Sequence, residues 1–421
     1  MDKFVIEGGR RLCGRVKVSG AKNGSLALMP ATILAPGTYH LANTPNLRDV
    51  WTMSRLITCL GAFCELNDNE LFIDSRELNS YEAPYEHVKN MRASFYVLGP
   101  LLARFGKARV SLPGGCAWGP RPVDLHIKGM ERLGAEITLE NGYVVASARN
   151  GKLTGARINL EISSVGATGN ILMAATLAKG RTLISNAATE PEITALARFL
   201  MKMGAKIDGI GTAILEIEGV DELHPADEIT IPDRIEAATF LIAAAATGGN
   251  IELDDCNPYH LTSVIAILEE AGCVLDVNSN SISLEATAIK PVDITTAIYP
   301  GIPTDIQPQW TALMTKANGN AKVADPIYKD RFKHIPELVR LGANIDVIEH
   351  TAFVRGGEAL SGATVMSSDL RAGAAMVIAA LMAEGTSEVL RIYHIDRGYE
   401  EFEKKLTGIG ANIKRVKTDL I

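Results

Sequence analysis

The hydrophobic positions of the chain form two alternating kinds of segment, one apolar on nearly every side and one amphipathic. Residues 234 to 247 read R-I-E-A-A-T-F-L-I-A-A-A-A-T, which predicts a helix that is buried on all its faces. Segments of this kind end at a glycine, and a short apolar run typical of a strand follows, such as residues 181 to 185. The glycines of this first series are Gly37, Gly106, Gly180, Gly248, Gly319 and Gly385.

A second glycine series ends the amphipathic segments, in the pattern apolar-Gly-small. It consists of Gly61, Gly134, Gly204, Gly272, Gly342 and Gly410. Alternating residues follow, as in residues 136 to 145, where Asn141-Gly142 predicts a hairpin turn. The period of roughly 70 residues predicts six copies of one unit: buried helix, strand, amphipathic helix and β-hairpin. Because six units exceed one hydrophobic core, we expect two groups of three.

The composition is that of a globular protein, with 421 residues of which 47% are hydrophobic and 22% charged. The formal net charge of -7 argues against nucleic acid or an anionic membrane as a partner, so an anionic ligand would need local positive charge. We see no secretory signal pattern, and apolar runs such as residues 374 to 383 are too short to span a bilayer. We therefore expect a soluble, cytoplasmic protein, and a monomer.

The cysteines and histidines do not have the spacing of metal ligands, so we expect neither a metal nor a cofactor. Without a C-x-x-C pair, the cysteines are expected to be free thiols, and all except Cys116 are expected to be packing residues. The six cysteines are Cys13, Cys59, Cys64, Cys116, Cys256 and Cys273.

Cys116 lies in an unusual loop, S-L-P-G-G-C-A-W-G-P-R-P. The interval from Gly106 to Gly134 is 28 residues, whereas the other units have 23 to 25 residues between the corresponding glycines. The extra residues surround the thiol, and longer loops tend to carry function.

The buried helices begin with polar or charged residues. Capping explains serine and aspartate at these positions, and that interpretation stays open for the aspartates. It does not explain Lys22, Arg92 and Arg371, because a cation at the positive end of a helix dipole is unfavourable unless an anion joins it. If the two groups of helices face each other across a cleft, their first residues would bind one strongly anionic ligand. These residues are Lys22 with Asn23, Arg92, Ser164 with Gly166, Asp233 with Arg234, Thr304 with Asp305, and Asp369 with Arg371.

Seven motifs in the same order along the chain resemble the UDP-N-acetylglucosamine 1-carboxyvinyltransferase family of enolpyruvyl transferases. They are S-G-A-K-N (19 to 23), L-P-G-G-C-A-W-G-P-R-P-V-D-L-H (112 to 126), S-V-G-A-T (164 to 168), P-D-R-I-E (232 to 236), P-T-D-I-Q (303 to 307), S-D-L-R-A (368 to 372) and Y-H-I-D-R-G-Y-E (393 to 400). The resemblance implies an α/β fold, the inside-out α/β barrel, with two domains each of three βαβαββ repeats around buried helices. Residues 22–232 would form the first domain, residues 1–21 and 233–421 the second, and the active site would lie in the cleft between them.

The resemblance also implies the reaction: the enolpyruvyl group of phosphoenolpyruvate moves to the 3-hydroxyl of UDP-N-acetylglucosamine, and phosphate is released. This is the first committed step of peptidoglycan biosynthesis and the target of fosfomycin. By resemblance, Lys22, Arg121 and Arg397 would bind the phosphate of the donor. Arg331 and Arg371 would bind its carboxylate, a task suited to the planar guanidinium group.

The proton transfers are also assigned by resemblance. Cys116 would protonate carbon C3 of the donor or form a thioether at C2, and nearby arginines favour the thiolate, which helps the second role and hinders the first. Asp305 would accept the proton of the sugar hydroxyl, with a helix cap as its alternative role. Asp369 and Lys22 would assist proton transfer at C3.

Contacts to the acceptor substrate complete the implied site. His126 and His394 are expected to be hydrogen-bonded structural residues. Two positions depart from the family: Ile162 stands where some members have lysine, and Trp118 stands where a smaller residue is expected. The implied acceptor contacts are Asn23, Arg92, Arg121, Pro122, Val123, Asp124, Leu125, Ser164, Val165, Gly166, Asp305 and Ile327.

Three other functions compete with this one. A 5-enolpyruvylshikimate-3-phosphate synthase would share the fold and donor, but its family has no catalytic thiol loop. A repeat scaffold would explain six units but not cations at buried helix starts. A redox-sensing thiol protein would need a resolving cysteine near Cys116.

Overall fold

The computed structural model describes residues 2–89, 91–113, 123–328 and 330–417. The predicted loop residues Cys116, Trp118, Arg121 and Pro122 lie outside the described residues. Short 3-10 helices include Arg92–Val97, Thr304–Ile306 and Ile392–Arg397. The α-helices of the described residues are α1 (Lys22–Ala31), α2 (Arg48–Cys59), α3 (Tyr85–Val88), α4 (Leu98–Phe105), α5 (Asp124–Arg132), α6 (Val165–Ala175), α7 (Pro191–Lys202), α8 (Arg234–Thr247), α9 (Thr262–Glu270), α10 (Gln307–Met314), α11 (Ile335–Arg340), α12 (Leu370–Met382) and α13 (Phe402–Gly408).

The strands of the described residues form six four-stranded sheets. They are β1 (Asp2–Glu7), β2 (Cys13–Lys17), β3 (Thr38–Ala42), β4 (Phe63–Asn67), β5 (Glu70–Asp74), β6 (Glu82–Ala83), β7 (Lys107–Ser111), β8 (Ala135–Glu140), β9 (Tyr143–Ala148), β10 (Arg157–Asn159), β11 (Arg181–Ser185), β12 (Lys206–Asp208), β13 (Ile214–Glu218), β14 (Glu228–Ile229), β15 (Asn250–Asp254), β16 (Val274–Val277), β17 (Ile282–Glu285), β18 (Ile294–Thr295), β19 (Asn320–Ala324), β20 (Asn344–Ile348), β21 (Thr351–Arg355), β22 (Thr364–Met366), β23 (Thr386–Leu390) and β24 (Asn412–Lys417).

All six sheets have the same mixed arrangement. In the sheet β10-β11-β13-β12, β11 pairs in parallel with β10 and antiparallel with β13, and β12 completes the hairpin. The predicted order of buried helix, strand, amphipathic helix and hairpin is confirmed in five of the six units. In the sixth, β24 pairs with β1 from near the amino terminus, so the hairpin predicted there is wrong. Each sheet adds a parallel edge strand that the hydrophobic pattern did not predict, because strands as short as β6 and β14 show no alternation.

The contacts divide the chain into two units, Met1–Ser19 with Pro232–Ile421, and Gly20–Ile231. In the first unit the strands near the amino terminus join strands from distant parts of the chain. β1 lies between β23 and β24, and β2 pairs in parallel with β15. In the second unit β14, near its end, pairs with β3 near its beginning.

Apolar helices fill the centre of each unit. In the first unit α8, α10 and α12 pack against one another, and residues 235 to 247 of α8 are all buried, as predicted. In the second unit α4 packs against α6, and α1 contacts the 3-10 helix Arg92–Val97. Burial of one large apolar side chain, such as Phe240, contributes roughly 1.5–3 kcal/mol to folding.

Turns and thiols test two local predictions. The hairpin at Asn141-Gly142 is confirmed, because both residues have positive φ, 51° and 81°, as a tight two-residue turn requires. The prediction that five cysteines are packing residues is wrong for Cys13 and Cys59, which are exposed. Cys256 and Cys273 are buried, and burial raises the pKa of each thiol to about 11.

Within the described part of the chain, no helix combines the length and the apolar character needed to cross a membrane.

Candidate active site

The centre of the candidate site in the first unit is the carboxylate of Asp305, which pairs with two arginines. Asp305 lies in the 3-10 helix that leads into α10, Arg331 follows β19, and Arg371 lies in the first turn of α12. Arg371 Nη2 donates to Asp305 Oδ2 at 2.9 Å, and Arg331 Nη2 donates to Oδ1. Both arginine side chains are buried. The fold therefore brings together three residues that the resemblance selected.

The buried guanidinium of Arg371 still has unused donors. Its Nε and Nη1 atoms have no hydrogen-bond acceptor among the described residues. Burial alone would lower the pKa of Arg371, but Asp305, Tyr399 and Asp233 raise it above its ordinary value. A permanently charged, buried donor pair of this kind can bind a carboxylate or phosphate group.

The aspartates at the helix starts have different roles. Asp369 Oδ1 accepts hydrogen bonds from the backbone N–H groups of Arg371 (2.9 Å) and Ala372 (3.1 Å), and Asp233 Oδ1 caps α8 in the same way. The capping interpretation is thus confirmed for Asp233 and Asp369. Asp305 is the second residue of its 3-10 helix, and Pro303 occupies the cap position.

His334 is a buried neighbour of this cluster that sequence reasoning missed. Its Nδ1 lies 3.0 Å from the backbone carbonyl oxygen of Arg331. Because a carbonyl oxygen only accepts, Nδ1 carries the proton and the neutral ring leaves Nε2 unprotonated. Burial lowers the pKa of His334 to about 4, although Asp369 acts in the opposite direction.

Asp325 is a second missed residue. Its Oδ2 accepts from Thr304 Oγ1 at 2.5 Å, and its Oδ1 accepts from the backbone N–H groups of Ile327 and Tyr328 at 3.0 Å. The Asp325 carboxylate therefore links residues 327 and 328, which include the predicted contact Ile327, to Thr304, the residue before Asp305. Ile327 itself is partly exposed.

Two predicted residues of this unit lie in the 3-10 helix Ile392–Arg397. Arg397 is its last residue and is partly buried. His394 packs against Tyr393, with 4.3 Å between the ring centroids.

In the second unit, Lys22 begins α1 and has a carboxylate partner. Its Nζ lies 3.4 Å from Oδ2 of Asp49, in the first turn of α2, and both side chains are largely buried. Sequence reasoning missed Asp49, because an acidic residue in the first turn of a helix is common. Asn23 follows Lys22 in the first turn and is partly buried.

The start of α6 presents backbone N–H groups, as predicted for the segment Ser164, Val165 and Gly166. Ser164 caps the helix by accepting from the backbone N–H of Ala167 at 3.3 Å. The buried ring of His126 lies beside Gly166, so close that a β-carbon added to that glycine would be 3.1 Å from the ring. A helix start of this kind suits an anionic ligand.

His126 is a hydrogen-bonded structural residue, as predicted. Its Nδ1 lies 2.9 Å from Nδ2 of Asn170, which also donates to the backbone carbonyl of Phe95 at 2.9 Å. Burial, followed by the charge of Arg92, lowers the pKa of His126 to about 3.

The remaining predicted positions of this unit vary in exposure. Arg92 begins its 3-10 helix and is partly buried. Val123 is buried before α5, Asp124 is the exposed first residue of that helix, and Leu125 is partly buried. Ile162, where the family pattern has lysine in some members, is 69% exposed.

The repeated mixed sheets, with two buried arginines around Asp305, are typical of an enolpyruvyl transferase. The family model described as EPSP synthase (3-phosphoshikimate 1-carboxyvinyltransferase) matches residues 6–406, and the chain belongs to this family. Its relatives include proteins named UDP-N-acetylglucosamine 1-carboxyvinyltransferase. The one from Chlorobium limicola is 55% identical over 419 residues, which cover 99% of both chains. The one from Chloroherpeton thalassium is 55% identical over 421 residues, 100% of this chain and 98% of the relative. The resemblance stated from the motifs is confirmed.

Solved structures confirm the fold class. The enolpyruvyl transferase NikO from Streptomyces tendae superposes with a TM-score of 0.89 at 25% identity, over 98% of each chain. An EPSP synthase from Acinetobacter baumannii gives a TM-score of 0.76 at 19% identity, over 99% of this chain and 100% of that one. The inside-out α/β barrel is therefore the fold of this chain.

Proposed function

We propose that the protein transfers the enolpyruvyl group of phosphoenolpyruvate to the 3-hydroxyl of UDP-N-acetylglucosamine and releases phosphate, as the first committed step of peptidoglycan synthesis. The observation that carries the proposal is the cluster of Asp305 with the buried Arg331 and Arg371, in which Arg371 retains unused donors. The names of relatives that are 55% identical support the choice of acceptor. The proposal includes a cytoplasmic monomer that works without a metal or cofactor.

The reaction is an addition followed by an elimination. A proton adds to carbon C3 of phosphoenolpyruvate, the sugar oxygen bonds to C2, and the hydroxyl proton goes to a base. Loss of a proton from C3 and departure of phosphate from C2 then restore the double bond. The protein must therefore neutralise two anionic groups and supply an acid and a base.

Arg331 and Arg371 are proposed to bind the carboxylate of phosphoenolpyruvate. Asp305 now pairs with the Nη2 atoms of both arginines. A ligand carboxylate at the unused donors of Arg371 would compete with the carboxylate of Asp305, because both anions are attracted by the same two guanidinium charges. Once its ion pairs weaken, Asp305 becomes a better proton acceptor for the sugar hydroxyl.

The other roles follow the family resemblance. Lys22, Arg121 and Arg397 bind the phosphate, and Cys116 provides the acid or nucleophile at the vinyl group, with Asp369 and Lys22 assisting at C3. The acceptor contacts are Asn23, Arg92, residues 121 to 125, residues 164 to 166, Asp305 and Ile327. The capped start of α6 supports a diphosphate contact, since its backbone N–H groups suit an anion.

The test is a phosphate-release assay with purified protein. We expect release only when phosphoenolpyruvate and UDP-N-acetylglucosamine are both present, with a product mass that corresponds to the acceptor plus the enolpyruvyl group. Release with shikimate 3-phosphate in place of the sugar nucleotide would assign the protein to the related synthase. No release with either acceptor would overturn the proposal.

A further inference from the structure

Beneath the pair formed by Arg371 and Asp305 lies a buried polar network that none of the predicted roles uses. Tyr399 Oη lies 2.9 Å from Oγ1 of Thr239, on α8. Gln309 Nε2, on α10, lies 3.1 Å from Tyr399 Oη and 3.2 Å from Thr239 Oγ1. All three side chains are buried among apolar helices. Polar groups are costly in such a core, and their retention calls for a reason beyond packing.

The network contacts both members of the pair. Gln309 Nε2 lies 3.1 Å from the backbone carbonyl oxygen of Asp305. The guanidinium carbon of Arg371 lies 5.4 Å from the centre of the Tyr399 ring, within the range of a cation–π contact. Gln309 therefore supports Asp305 and Tyr399 supports Arg371, while Thr239 holds Tyr399 and Gln309 in place.

The direction of the hydrogen bonds follows from one carbonyl group. Thr239 Oγ1 lies 2.7 Å from the backbone carbonyl oxygen of Ile235, so its single proton is donated there. Thr239 Oγ1 must then accept from Tyr399, which directs the phenol proton toward Thr239. The lone pairs of Tyr399 remain for Gln309, and the electron-rich phenol oxygen helps to raise the pKa of the neighbouring Arg371. Gln309 must present its amide nitrogen to Asp305, because its oxygen would repel the carbonyl.

We propose that Tyr399 and Gln309 are positioning residues, Tyr399 for the guanidinium of Arg371 and Gln309 for the backbone of Asp305. The inference rests on the proposed function, because it assigns these two groups to the carboxylate of phosphoenolpyruvate and to the proton of the sugar hydroxyl. Burial raises the pKa of Tyr399, which keeps the phenol neutral and able to donate to Thr239. Loss of the phenol oxygen would loosen Arg371 in particular.

The test compares Tyr399→Phe with Tyr39→Phe. Tyr39 is a matched control in the other unit, buried and with its hydroxyl 2.7 Å from the carbonyl oxygen of Ala35. We expect Tyr399→Phe to raise KM for phosphoenolpyruvate about tenfold, because the phenol oxygen that stabilises the charge of Arg371 is lost, with KM for UDP-N-acetylglucosamine nearly unchanged. Tyr39→Phe should lower the melting temperature comparably and leave both KM values at the wild-type level.

Gln309→Met tests the second half of the inference. It should lower kcat about tenfold, because Asp305 loses a backbone anchor and not a binding partner of the donor. Equal kinetic constants for wild type, Tyr399→Phe and Gln309→Met would overturn the positioning roles.

Thr239 gives a second route if Tyr399→Phe fails to fold. Thr239→Val removes the acceptor of the phenol proton, whereas Thr239→Ser keeps it. We expect a raised KM for phosphoenolpyruvate in the valine variant and rescue in the serine variant, and equal values would refute the inference. Failure of the proposed function is distinguishable, since the wild-type protein would then release no phosphate at all.

Discussion

Neutralising Asp305 is the perturbation that most directly probes the arginine cluster. In Asp305→Asn the charge opposite two buried guanidinium groups disappears, while the shape of the side chain and one acceptor oxygen remain. Arg371 Nη2 lies 2.9 Å from Oδ2, and charges about 4 Å apart interact by roughly 4 kcal/mol at an effective dielectric constant near 20. Removal of one partner of a buried pair costs about 3–5 kcal/mol. Because the Asp305 side chain is 28% exposed, we expect a loss near the lower limit, about 3 kcal/mol.

The assay is thermal unfolding with and without phosphoenolpyruvate. A loss of about 3 kcal/mol lowers the melting temperature by roughly 6–12 °C for a unit of this size. Phosphoenolpyruvate should then stabilise Asp305→Asn more than wild type, because its carboxylate restores the missing charge and meets no competitor in the variant. Transfer activity should fall by at least about a hundredfold, since the proposed base is gone.

Asp346→Asn is the control for this experiment. Asp346 also pairs with an arginine, Arg355, at 2.6 Å, but both side chains are at least half exposed, so the loss should stay below about 1 kcal/mol. Two results would refute the proposed competition between phosphoenolpyruvate and Asp305: equal melting temperatures for Asp305→Asn and wild type, or an equal shift of both melting temperatures by phosphoenolpyruvate.

Three further predictions address other parts of the chain. Cys116→Ser should nearly abolish transfer without a change in melting temperature, and fosfomycin should add its mass to the one peptide that contains Cys116; an adduct on the exposed Cys13 or Cys59 instead would contradict this assignment. Lys22→Gln should destabilise the protein, because Asp49 loses a cation 3.4 Å away. The double variant Lys22→Gln/Asp49→Asn should regain stability but not transfer activity. Activity in the double variant would show that Lys22 has no role in the mechanism. The free energy of unfolding should fall as the pH drops from 6.5 towards 4, because burial lowers the pKa of His334 to about 4 and the unfolded chain therefore binds the proton more tightly than the folded chain. In urea titrations, His334→Asn should reduce the slope of this free energy against pH by up to about 1.4 kcal/mol per pH unit. An unchanged slope would show that His334 does not contribute.

Local signals predicted much of the fold. An apolar run without a polar face identified α8, and Asn141-Gly142 identified the hairpin of β8 and β9. Both features are predictable because each signal lies within a few residues of sequence. Local signals did not predict which strands pair with each other. β1 pairs with β23 and β24 across most of the chain, and periodicity identifies a strand without naming its neighbour. Only the family resemblance indicated that the first strand belongs with the last.

The candidate site was predictable where charge contradicted its surroundings. Lys22 and Arg371 were predicted to bind an anion because cations are unusual at the start of an apolar helix. Asp49, Gln309, His334 and Tyr399 gave no such signal, since one polar residue in a helix or loop is ordinary. Their importance depends on partners that are distant in sequence, and only coordinates reveal those partners. The exposed Cys13 and Cys59 show the converse error, since a residue type that is usually buried was assigned to the core.

The position of the first two strands bears on how the protein is synthesised. β1 and β2 are translated well before their partners β15, β23 and β24, which all begin at or after Asn250. The continuous segment Gly20–Ile231 has all of its own strands once β14 has been translated, so it can fold while the ribosome is still working. β1 and β2 must wait with open backbone edges until β15, β23 and β24 have also been translated, which makes them the part of the nascent polypeptide most in need of a chaperone.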